Sequence, residues 1–118
     1  MTNEQIVDLY EGLSEISQNK DLKFKAVISF VFAKNRNIIR PFYDSIIEAR
    51  TKLIDKYGEK NDEGILIPNE KIPQFKSEFE ILMHTENYIN IEEISLEDFK
   101  EEYIGTELME KILPIIKK

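Results

Sequence analysis

A chain of 118 residues can bury one hydrophobic core and is too short for two. Apolar residues make up 42% and charged residues 33%, a balance that folds beneath a highly charged surface and excludes a disordered chain. With no cysteine there is no disulfide framework, no thiolate nucleophile and no sulfur-ligated zinc, which suits the reducing cytoplasm.

The first residues, Met1 to Gln5, lack the basic region and following apolar run of a signal peptide. The longest near-apolar stretch, Ala26 to Ala33, contains Ser29 and is far too short to span a bilayer. Neither secretion nor membrane insertion is expected. Thr2 and Gln5 have capping-box spacing, and Ile6, Leu9, Tyr10, Leu13 and Ile16 then recur on one helical face, which predicts a helix over 3–18. Gly12 weakens that helix without ending it. The polar cluster Ser17 to Asp21 is a turn, in which Asp21 is placed to cap the next helix.

The dominant feature is a long amphipathic helix over 22–57. Ile28, Val31, Asn35, Ile38, Phe42, Ile46, Ala49 and Leu53 step by three or four residues throughout. Phe24, Val27, Phe30, Phe32, Ile39, Ile47 and Ile54 widen the stripe, so more than one neighbour must cover it. Two local features oppose a single helix: Leu22 to Lys25 alternates with period two, and Pro41 predicts a bend or break near Ile38. Gly58 is expected to close the helix in a left-handed conformation.

Downstream, Ile65-Leu66-Ile67 and Tyr88-Ile89-Asn90-Ile91 read as two strands, near 65–68 and 87–92, that pair with each other. Short helices are predicted over 74–85, led by Pro73, over 96–103, capped by Ser95, and over 106–113, where Thr106 follows the stop at Gly105 and Pro114 weakens continuation. The fold class is therefore α+β, predominantly α: one domain over 1–118, with a long helical hairpin, a small two-stranded sheet and short C-terminal helices. The expected core comprises Leu9, Leu13, Ile28, Val31, Phe42, Ile46, Leu53, Phe79 and Leu82. A stripe this long also suggests a homodimer.

The net charge of −7 is unevenly spread. Residues 20–60 hold ten lysines and arginines against five acids, whereas residues 1–19 hold four acids and no base. Exposed charge pairs solvate or pair across a fold, and that is the plain reading of the basic segment. The sharper one is an anionic protein partner, with Lys34, Arg36 and Arg40 as exposed contacts and Asn35 beside them. Asn35 also reads as a hydrogen-bonded polar interruption that sets helix register. A pI of 4.8 argues against nucleic acid, whose binding is largely electrostatic.

Nothing in the sequence assembles catalysis. His84, the single histidine, stands one turn after Glu80, and two candidate ligands do not make a metal site. No serine occupies a nucleophile elbow, and four scattered glycines form no phosphate loop. The pairs Glu92-Glu93, Glu97-Asp98 and Glu101-Glu102 read as solvated acids. No catalytic residue, metal or cofactor is expected.

Lys34-Asn35 ahead of a long helical run, Glu48-Ala49-Arg50, Leu53-Ile54-Asp55-Lys56-Tyr57-Gly58, the turn Asn61-Asp62-Glu63-Gly64 and the segment Ile91 to Leu96 together resemble a family of small phage and prophage proteins catalogued as a domain of unknown function. The resemblance implies a phage or prophage origin and a role in the bacterial cytoplasm or the virion; it transfers no catalytic residue. Two functions stay open: an accessory protein-binding module for a host or phage protein, and a structural or assembly component of the particle.

Overall fold

The computed structural model describes residues 1–99 and 104–117. Helix α1 spans Asn3–Gln18 and α2 spans Ala26–Tyr57. A hairpin of β1 (Glu59–Asn61) and β2 (Gly64–Leu66) follows, then α3 (Ile72–His84), β3 (Ile94–Ser95), α4 (Leu96–Phe99), α5 (Thr106–Ile112) and β4 (Ile116–Lys117). The architecture is α+β and mainly helical.

Helix α1 starts on its capping box: the Gln5 backbone N–H donates to Thr2 Oγ1 at 3.1 Å, and the Thr2 N–H donates to Gln5 Oε1 at 2.9 Å. Its buried face, Ile6, Leu9, Leu13 and Ile16, runs antiparallel along the first half of α2, with Tyr10 beside Tyr43 and Ser14 beside Arg36. A second flank of α1 is covered by α5 and the 3₁₀ turn Leu113–Ile115, which bury Ile112 and Ile115 completely. Gly12 marks the closest approach. A Cβ there would lie 2.9 Å from Lys111 Cβ and 3.2 Å from Ile112 Cγ2. Alanine normally gains about 1 kcal/mol over glycine inside a helix. Here Gly12→Ala is expected instead to lower stability by about 1 kcal/mol, because overpacking outweighs propensity; urea denaturation measures it.

Helix α2 begins at Ala26, four residues later than its apolar stripe suggests. Leu22 and Phe24 are half-buried while Lys23 and Lys25 are exposed, so this segment keeps its period-two burial pattern as chain outside any helix or strand. Asp21 caps no helix; its N–H donates to Asn19 Oδ1 at 3.0 Å within the turn. Of the bend or break expected near Ile38, no break occurs: α2 continues through Pro41. Pro41 and Asn37 both lie exposed, so the carbonyl deprived of its donor faces water, while Ile39 and Ile46 anchor the two halves in the same core. Gly58 ends the helix in extended conformation (φ −84°, ψ 153°), not a left-handed one. Its missing side chain leaves room for the close approach of Ile65 and the Ile54 carbonyl.

The expected pairing of 65–68 with 87–92 is also corrected. Gly64–Leu66 folds back on Glu59–Asn61 across a two-residue turn, where Asn61 Oδ1 accepts from the Glu63 N–H at 2.8 Å and Gly64 takes φ +128°. A two-residue turn closes at far lower entropic cost than a loop of roughly twenty residues. Residues 88–91 form no strand, and a short parallel pairing joins Ile94–Ser95 to Ile116–Lys117. Ser95 does cap α4, accepting from the Glu97 N–H at 3.3 Å, whereas α5 is preceded by Gly105 and has no side-chain cap. The expected helix over 96–103 extends into 100–103, outside the described residues.

Of the expected core, Leu9, Leu13, Ile28, Val31 and Ile46 are buried, and Phe42, Leu53, Phe79 and Leu82 are half-buried. The radius of gyration is 17.1 Å against about 13–14 Å for an average domain of this length. The excess comes from α2, whose 32 residues outrun α1 and leave its second half covered mainly by α3.

Candidate interaction surface

Helix α2 carries all four residues singled out from the basic segment, and 100° per residue sends them to different sides. Asn35 is completely buried. Its Nδ2 donates to the Glu92 carbonyl at 2.7 Å, and its Oδ1 accepts from the Glu92 N–H at 2.8 Å. The side-chain amide thus clamps both backbone groups of one residue in an irregular segment, occupying the groups a sheet ladder would have used. Asn35 is a structural pin, and its reading as a partner contact is not compatible with its burial.

Lys34 lies on one flank of that pin, exposed, with Nζ 2.9 Å from the Glu92 carboxylate. Arg36 lies on the other. Its Nε donates to Ser14 Oγ at 3.2 Å, and its guanidinium carbon stands 5.7 Å from the centre of the Tyr10 ring, which is stacked 4.1 Å from Tyr43. Arg40 is exposed further round the helix. The basic run is therefore not one patch.

What gathers on the Lys34 flank is apolar. Val27 and Phe30, at 66% and 62% exposure, share the helical face of Lys34 at spacings of three and four residues. The sequence places both in the buried stripe, and the structure corrects this. Beside them is a groove of about 360 Å³ walled by Val27, Ile28 and Val31 on α2 and by Glu92, Ile94 and Asp98 across from it. Sequence could have found this pair through its company, since Lys34, Asn37 and Pro41 continue the same face with no large apolar residue.

Titratable groups depart from ordinary behaviour elsewhere. At the far end of α2, Tyr57 packs edge-on to Phe75, which stacks on Phe79. Lys56 Nζ donates to both Glu78 carboxylate oxygens at 3.2 Å, and the neighbouring Tyr57 hydroxyl together with Lys56 holds the Glu78 carboxyl below the usual glutamate range, the tyrosine contributing most. The same contacts raise Lys56 and Tyr57. On α1, partial burial and the charge of Glu4 push Asp8 up, opposed by Lys111. A depressed acid stabilises the fold above its unfolded pKa, a contribution lost as pH falls through the folded value. Carboxyl carbon NMR should therefore find the Glu78 midpoint below that of a glutamate in a short peptide, and Tyr57→Phe should move it back up.

His84 ends α3, exposed and 4.0 Å from Glu4. Among the described residues no three of His, Asp and Glu converge as a metal site, and no helix is long and apolar enough to cross a membrane. Glu92, Glu93, Glu97 and Asp98 are exposed, and Glu101-Glu102 falls outside the described residues. No protein-family model, no curated protein and no solved structure matches the chain.

Proposed function

We propose that this chain is a non-catalytic protein-binding module, a phage or prophage accessory protein that engages a host or phage protein in the bacterial cytoplasm. The observation that carries the binding role is the exposed pair Val27 and Phe30 beside Lys34 on a rigid helix. Large apolar side chains grouped in solvent and rimmed by charge mark interaction sites. The phage setting rests on the sequence resemblance alone.

A second reading, an assembly component of the particle, draws on the elongated body of 50 × 31 × 22 Å and on further exposed apolar residues at its opposite end, Ile65, Leu66 and Ile72. The discriminating experiment is affinity capture of the tagged chain from bacteria before and during phage growth, run beside a Val27→Asp, Phe30→Asp double variant whose circular dichroism matches the parent. A partner held by the parent and lost by the variant supports the module. Virion proteins alone among the captured species would favour the assembly reading. A partner retained equally by the variant overturns the proposed surface. Light scattering on the same samples tests the homodimer: only the monomer mass across the micromolar range excludes it.

A further inference from the structure

The elbow between α1 and α2 encloses a second kind of hollow, of about 390 Å³. Its walls are Leu13 and Ile16 of α1, Leu22 and Phe24 of the connection, and Phe32 and Ala33 of α2. A volume of that order lies within the range of small-molecule sites. The connection creates it: instead of folding straight into α2, residues 22–25 cross the elbow as non-helical chain and wall it with Leu22 and Phe24.

The charges around this hollow are unlike those elsewhere. Lys20 and Arg36 line it, and among the described residues no carboxylate does, in a chain of net charge −7. Three other hollows with charged walls each include acids: Glu11 and Glu15 beside the stacked tyrosines, Asp8 and Glu110 beside Lys111, and Glu92, Glu93 and Asp98 beside Lys25. Arg36 is also held in place. Ser14 takes its Nε and the Tyr10 ring lies against its guanidinium, while these contacts leave its terminal N–H donors unused. A positioned guanidinium with open donors recognises a carboxylate as a two-pronged partner.

We infer that this elbow binds a small amphipathic anion, a medium-chain carboxylate whose tail lies among Leu13, Ile16, Phe24 and Phe32 and whose head meets Arg36 and Lys20. The site is distinct from the Val27 and Phe30 surface, and either can stand without the other.

The test is a titration of isotopically labelled full-length protein with octanoate below its micelle-forming concentration, followed by amide NMR, with acetate, octanol and octylammonium as comparison probes. Saturable shifts confined to the amides of 13–24 and 29–36, with each comparison probe weaker by about tenfold or more, support the inference. Ala33→Phe, an exposed position on the rim, should abolish them, and Arg36→Gln and Lys20→Gln should each weaken binding severalfold. Lys20 lies on the exposed connection, so its variant keeps the charge test alive if Arg36→Gln loses the fold. Octanol binding as well as octanoate would overturn the inference, because the hollow would then select only for apolar mass. Shifts that are absent, unsaturable or scattered over other faces, or that persist in Ala33→Phe, would overturn it too.

Discussion

Asn35→Ala is expected to lower unfolding free energy by about 2–4 kcal/mol, read as a shifted urea midpoint with an unchanged slope. The substitution removes both hydrogen bonds to the Glu92 backbone and leaves a gap at a fully buried position on α2. The N–H and C=O of Glu92 must then find water or move, and losing the partner of a buried polar group costs more than the bond itself is worth. The control is Glu92→Ala. It keeps the clamped backbone and deletes only the exposed ion pair with Lys34, so a change within about 1 kcal/mol is expected. Equal effects from the two variants would show that the carboxylate, not the backbone, is what α2 holds.

Ile39→Ala should cost about 3–5 kcal/mol. Ile39 is wholly buried one turn after Asn35, and the same core runs through α1 and α5, so the neighbours have little freedom to close the gap. Ile46→Ala gives the internal comparison. Ile46 lines an open hollow of about 370 Å³ with Pro41, Phe42 and Leu82, where water can enter, so its cost should fall near 2 kcal/mol. Similar values for both would mean that the hollow is closed in solution.

Local signals were the most legible part of the sequence. The Thr2 capping box, the helical face of α1, the reach of α2 to Tyr57 and the start of α3 near Pro73 all depend on residues close together in the chain. Strand partners were not legible, because pairing is decided by loop entropy and by competition for backbone groups. The hairpin captured Ile65 and Leu66, and Asn35 captured Glu92. Ile39 escaped the expected core for a related reason: a wide apolar stripe does not say which edge meets a neighbour, and Val27 and Phe30 lie on the edge left exposed. The basic run from Lys34 to Arg40 showed charge but not direction, and direction divides Lys34 from Arg36 and buries Asn35 between them.

The packing of α1 also bears on the order in which the chain leaves the ribosome. One flank of α1 meets α2, which emerges next, so the two helices can zip together during synthesis. The other flank is covered by Leu108, Ile112 and Ile115, translated roughly a hundred residues after the surface they bury. Until then the hairpin carries a bare apolar side near Gly12, a natural substrate for a ribosome-bound chaperone. The contact at Gly12 is thus among the last long-range ones to become available, and it turns a nascent hairpin into a sealed domain.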